Sequence, residues 1–154
     1  MTYIRSISAS KGLENLRILV VGNNELTRRM VERILRAFGC TQICQASDGA
    51  EALKTARDSC RPDVIITDRD MAPMNGLMFT SMLRGGQSFS LDVPVVMVSA
   101  RTGEGAVQSA LDGGVDEYLP KPVDAAALYN VLTRIIGKAG PEQASRVRYS
   151  AAHL

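Results

Sequence analysis

The sequence predicts a doubly wound α/β sandwich, a five-stranded parallel sheet flanked by five helices. Short β-branched segments that are apolar on both faces recur along it, namely "RILVV" (17–21), "DVIIT" (63–67) and "VPVVMVS" (93–99). Segments of helical period fill the intervals between them. Strands apolar on both faces suit a sheet buried between two helical layers. Regular alternation with helices selects parallel, crossover connections. A chain of 154 residues is long enough for one domain with a real core and too short for two comfortable ones.

Taken in order, "MTYIRSISASKGLEN" (1–15) is a polar leader, and the domain runs over 16–138. After the first strand, Leu26, Met30, Ile34, Leu35 and Phe38 lie at helical spacing and Gly39 closes the segment. "TQICQ" (41–45) is a weaker strand pattern, suited to a sheet edge. "SDGAEALKTARD" (47–58) opens on the capping residues Ser47 and Asp48, with Glu51 at capping-box distance from Asp48. The third strand is followed by "NGLMFTSMLRG" (75–85), and the fourth by "TGEGAVQSALDGG" (102–114), both helical patterns interrupted by glycine. "VDEYL" (115–119) is the second weak, edge-type strand. "DAAALYNVLTRIIGK" (124–138) is the clearest helix, with Asp124 at its N-cap and Gly137 near its end. Residues 139–154 start with a Gly-Pro break, carry no apolar stripe and read as a flexible tail.

Composition narrows the function classes. A net charge of +2 is too small to argue for nucleic acid. His153 is the sole histidine, which excludes histidine catalysis and zinc sites built on histidine. Cys40, Cys44 and Cys60 make neither a CxxC pair nor a disulfide framework; the expectation is free thiols in a reducing compartment, buried as small hydrophobes. No apolar run approaches the ~18 residues of a spanning helix. The N-terminus also lacks the apolar segment of a signal peptide, so the expected location is cytoplasmic.

Ligands of open parallel sheets bind beyond the carboxyl ends of the strands. There the first strand delivers Gly22, Asn23 and Asn24, and the third Asp68, Arg69 and Asp70. The fourth delivers Ser99, Ala100 and Arg101, and the fifth "YLPKP", with Lys121 between two prolines. Singly, these read as a turn-capping acid, a helix-start serine and a surface lysine. Their equivalent places on neighbouring strands favour a site. A carboxylate can attack phosphorus and carry the group as an acyl phosphate, and an ammonium and a hydroxyl can hold its oxygens. The Lys121–Pro122 bond is a candidate for the cis form, which would aim the lysine inward.

The motifs "ILVVGNNELTRR", "DVIITDRDMAPMNG", "VVMVSA" and "DEYLPKP", in this order and spacing, resemble the receiver domain of the two-component response-regulator family over roughly residues 16–138. The resemblance implies a flavodoxin-like receiver fold. It also implies Asp68 as phospho-acceptor, Ser99 as switch hydroxyl, Lys121 as phosphate-binding lysine, Tyr118 as the switch aromatic and the Asp70 backbone carbonyl as a magnesium ligand. Two departures stand out. Gly22 and Asn23 occupy the place of an acidic pair, and Ala72 stands where a proline is usual, with Pro73 after it.

Magnesium prefers carboxylate oxygens and sheds water reluctantly. With glycine and an amide in place of two acids, magnesium binding is expected to be weak or absent; Asn23 is a poor ligand, and the Asp70 side chain and Glu25, which could compensate, are not at the matching positions. Freed of like-charge repulsion, Asp68 is expected to pair with Lys121. Asp70 and Arg101 are expected to pair across the pocket rim or to stay as separate solvated charges.

No effector segment follows the receiver-like region, so the expectation is a stand-alone response regulator acting by protein–protein contact, with weak, metal-poor or absent phosphorylation. Its partners would be a histidine kinase or phosphotransfer protein and a target bound at the face of the fourth helix, fifth strand and fifth helix, which includes Tyr118 and Tyr129; no DNA binding or membrane insertion is expected. The chemistry would not exceed phosphate acceptance and slow autodephosphorylation. The alternatives are a conventional phosphoryl shuttle and a nucleotide-binding adaptor using Arg146 and Arg148 of the tail.

Overall fold

Alternation of strand side chains sorts the core of this chain into two layers, one on each face of a single sheet. A computed structural model describes residues 3–4, 12–85, 92–138 and 148–149. The strands are β1 (Arg17–Val21), β2 (Gln42–Ala46), β3 (Val64–Asp68), β4 (Val95–Ser99) and β5 (Glu117–Pro120). The helices are α1 (Glu25–Ala37), α2 (Gly49–Thr55), α3 (Gly76–Gly85), α4 (Glu104–Asp112) and α5 (Ala125–Lys138). The sheet is parallel throughout, in the order β2-β1-β3-β4-β5. Both weak strand patterns therefore lie at edges, where one flank needs no partner.

Ile18 and Val20 of β1, Ile66 of β3 and Val98 of β4 face Val31 and Leu35 of α1 and Leu128 and Leu132 of α5. Leu19, Ile65, Val95 and Met97 face the other way, onto Ala52 of α2, Phe79 and Leu83 of α3 and Ala110 of α4. Removing this apolar area from water is the main force holding the layers together. Helix starts follow the capping rules. The Asn24 side chain accepts from the Thr27 N–H, that of Asp48 from Glu51 and that of Asp124 from Ala127. The Glu51 carboxylate accepts from the hydroxyl and backbone N–H of Ser47, and the hydroxyl bond, then the backbone bond, draws its pKa below the ordinary value.

Three expectations need correction. The stripe expected on α1 is only half its buried face: Leu35 is buried and Ile34 and Phe38 pack against the core, but Leu26 and Met30 are 73% and 52% exposed and Val31, outside the stripe, points inward. At 3.6 residues per turn, Leu26 lies about 140° round the helix from Val31, on the water side. The helix expected over 47–58 is regular only to Thr55; Ala56–Cys60 forms a π-turn that ends at Arg61 in the left-handed region, φ 48°. The cysteines are not three free thiols. Cys44 on edge strand β2 and Cys60 at the end of the π-turn are joined as a disulfide, their Cα atoms 6.3 Å apart. Cys40 alone is free; burial, then the nearby Glu14 carboxylate, pushes its thiol pKa up.

The leader and the expected flexible tail, 139–154, lie mostly outside the described residues. What is described of them is a 3-10 turn, Leu13–Asn15, whose Leu13 is buried in the core rather than part of a polar leader, and a two-residue antiparallel pair, Tyr3–Ile4 with Arg148–Tyr149. Arg146 lies outside the described residues, and Arg148 is described only as part of this pair.

Candidate functional site

Because every strand runs the same way, the residues just past the strands meet at one edge. The ladder continues past the strand ends: the Gly22 N–H donates to Ala46, Arg69 to Val98 and Lys121 to Ser99. Asp68, Ser99 and Lys121 thus stand side by side at the tips of β3, β4 and β5. Lys121 Nζ lies 2.8 Å from Asp68 Oδ2, and the two side chains are 31% and 11% exposed. This charge-assisted contact is partly screened from water and is stronger than a surface pair. The Lys121–Pro122 and Ala72–Pro73 bonds are both cis.

Ser99 is buried, and its hydroxyl accepts the Arg101 backbone N–H at 3.0 Å rather than reaching Asp68. At the rim, Arg101 Nη2 lies 3.2 Å from Asp70 Oδ1, with exposures of 63% and 50%. The pair forms, and exposure on this scale makes it worth little to stability. The Asp70 backbone N–H donates weakly, at 3.3 Å, to Asp68 Oδ1. Glu25 is turned elsewhere, onto Arg29.

Sequence reasoning missed the roles of three residues here. The Asn23 amide is a brace between loops: Oδ1 accepts the Ala72 N–H at 2.9 Å, and Nδ2 donates to the Ser47 carbonyl at 2.8 Å and the Ala72 carbonyl at 3.2 Å. Arg28 reaches back from α1 to donate to the Gly22 carbonyl and, through Nε, to Gln45. Arg69, next to Asp68, is buried and donates through Nη1 to the Ala106 carbonyl at 2.7 Å and the Tyr118 hydroxyl at 3.2 Å. Its guanidinium carbon also lies 6.0 Å from the Tyr118 ring centre, within cation–π reach. The Tyr118 hydroxyl in turn donates to the Arg101 carbonyl at 2.7 Å. Partners tens of residues apart left no local pattern for any of these roles.

Arg69 therefore fastens β5 and α4 to the residue beside Asp68. Replacing it with methionine, which keeps most of the stem, should cost about 2 kcal/mol, the scale for hydrogen bonds from a charged donor. Urea unfolding measures the loss, and the Tyr118 ring resonances should shift with it. An unchanged midpoint and unchanged ring shifts would show that the guanidinium holds nothing.

Residues 18–133 match the response regulator receiver domain family. The chain belongs to that family. The chemotaxis protein CheY1 of Helicobacter pylori is 30% identical to it over 122 residues, 79% of this chain and 98% of its own length. Among solved structures, the receiver domain of the sensor histidine kinase PA1611 of Pseudomonas aeruginosa is similar, with TM-score 0.68 and 29% identity over 79% of this chain and 98% of that one. The chemotaxis protein CheY4 of Vibrio cholerae has TM-score 0.67 and 32% identity, over 77% and 96%. This is a receiver domain of two-component signalling with the expected fold. Among its described residues, no helix is long and apolar enough to cross a membrane.

The PA1611 receiver carries a magnesium ion in its active-site cleft. The residues of this receiver fit that ion poorly. Gly22 offers no side chain, and its carbonyl is taken by Arg28. The Asn23 amide is spent between Ser47 and Ala72, Asp68 is held by Lys121 and the Asp70 side chain, though not its backbone carbonyl, by Arg101. Among the described residues, no group of three or more His, Cys, Asp or Glu could hold a metal.

Proposed function

We propose that this receiver signals by protein–protein contact and that phosphorylation at Asp68 is weak and metal-poor. The observation that carries this reading is the Asn23 brace beside Gly22: where the family resemblance implies two acids, one residue has no side chain and the other has an amide already satisfied. Asp68, Lys121 and Ser99 supply the acceptor, the cation and the hydroxyl. The incoming signal then comes from a histidine kinase or phosphotransfer protein. The outgoing contact runs through α4, β5 and α5, where Leu111 and Tyr129 are exposed apolar groups and Tyr118 connects the face to Arg69 and Arg101.

The test is intact mass after incubation with magnesium and acetyl phosphate. Wild type should label slowly. Gly22→Asp combined with Asn23→Asp should label at least about tenfold faster and only with magnesium, the ratio given by about 1.4 kcal/mol of added stabilisation. Rapid, magnesium-dependent labelling of wild type, lost in Asp68→Asn, would instead establish a conventional phosphoryl shuttle.

A further inference from the structure

Gly22, Arg28, Asp68 and Lys121 line one small cavity at the strand tips. The point where a side chain on Gly22 would begin is 3.8 Å from Asp68 Oδ2 and 3.9 Å from Arg28 Cγ, so the arginine stem and the acceptor carboxylate flank the place the glycine leaves bare. The guanidinium is fixed rather than free to wander: one Nη1 N–H donates to the Gly22 carbonyl at 2.5 Å and Nε to Gln45 Oε1 at 3.0 Å, and Gln45 is itself held by Glu32. Two of its five N–H groups are thereby used, and among the described residues the others have no hydrogen-bond partner.

The charges in the cavity are one carboxylate and two cations, while Asp70 and Arg101 at the rim neutralise each other. A divalent ion would meet a fixed guanidinium and a single acid. A phosphoryl group carrying about two negative charges is matched by the two cations alone.

We propose that the Arg28 guanidinium takes the place of a divalent ion in this pocket, binding phosphoryl oxygens so that Asp68 accepts a phosphoryl group without metal. The inference rests on the reading of Asp68 as the acceptor. With acetyl phosphate, a carboxylate oxygen of Asp68 attacks phosphorus and forms the new O–P bond. The bond from phosphorus to the acetyl oxygen breaks, and acetate leaves with that electron pair, so no proton or further reactant is required. The cavity holds about one water molecule, near 20 Å³. An arriving phosphoryl group must therefore draw the Lys121 ammonium off Asp68 and share it with Arg28.

The experiment compares acetyl phosphate labelling of the whole chain in excess EDTA and in magnesium, read by intact mass. Wild type should label at similar rates in both. Arg28→Gln should label on the order of 100- to 1,000-fold more slowly in EDTA, the scale for loss of one preorganised donor. Arg28→Lys, which keeps the charge, should recover most of the rate. Gly22→Asp sets an acid against Arg28 without removing it and should also abolish labelling in EDTA, which keeps the test open if Arg28→Gln fails to fold.

Wild-type labelling that stops in EDTA overturns both this inference and the metal-poor reading. Slow metal-free labelling that Arg28→Gln leaves unchanged overturns the inference alone. No labelling of wild type in either medium also removes Arg28 from the role, while signalling by contact stands.

Discussion

Reducing the Cys44–Cys60 bond should lower the unfolding free energy by about 3 kcal/mol, the chain-entropy value for a loop of about 15 residues. The two cysteines are 16 positions apart in sequence, and the bond ties edge strand β2 to the end of the π-turn that follows α2. An edge strand has a partner on one side only, so it has fewer ladder bonds to hold it once the tie is cut. Urea unfolding with and without a reductant measures the effect. At a slope of about 1–3 kcal/mol per molar, the midpoint should fall by about 1–3 M. Cys44→Ser should fall by a similar amount and lose its response to reductant. Equal midpoints in the two media would mean that the sulfurs are not bonded in solution. Cys60 is buried, so reductant must be present through a full cycle of unfolding and refolding.

Gly76→Ala should be nearly as damaging, by about 3 kcal/mol, at the upper end of the cost of overpacking. A Cβ there would sit 2.3 Å from the Asp68 carbonyl oxygen, 2.9 Å from Met97 Cε and 3.0 Å from Arg69 Cα. Two of these neighbours are backbone and cannot swing aside. The Gly76 N–H also donates to the Arg69 carbonyl, closing the loop that leaves the acceptor, so a shift of α3 would open that loop too. The cause is lack of room, not an unusual dihedral. Gly39 is the opposite case, needing φ +97° with nothing nearby. A Gly76→Ala protein within 0.5 kcal/mol of wild type, roughly the scatter of surface substitutions, would show that the acceptor loop yields easily. Labelling of Asp68 should drop in parallel with stability, because the added methyl presses on the peptide that carries the carboxylate.

The sheet was legible because its inner strands are apolar on both faces, a pattern that survives without knowledge of neighbours. The two edge strands were legible for the complementary reason, their weaker pattern matching a half-covered environment. Convergence of Asp68, Ser99 and Lys121 followed from parallel direction alone, and the Lys121–Asp68 contact from the missing acids. The α1 stripe misled only at its start: Ile34, Leu35 and Phe38 do meet the core, but Leu26 and Met30 share a helical face turned away from Val31, and spacing alone does not say where the buried face ends. The disulfide was hidden because it depends on where a π-turn delivers Cys60. Asn23, Arg28 and Arg69 act through backbone carbonyls of Ser47, Ala72, Gly22 and Ala106, and a carbonyl leaves no mark in the amino-acid order.

The Asn23 brace has an electrostatic corollary. Its two N–H hydrogens fill the gap between the carbonyl oxygens of Ser47 and Ala72. Exchanging that amide nitrogen for oxygen, the only difference between asparagine and aspartate, would leave three oxygens facing one another with nothing positive between them. The loops would then either spring apart or recruit an ion to reconcile them. The amide thus does between these two loops what a bound cation would otherwise have to do, and it does so without carrying a charge.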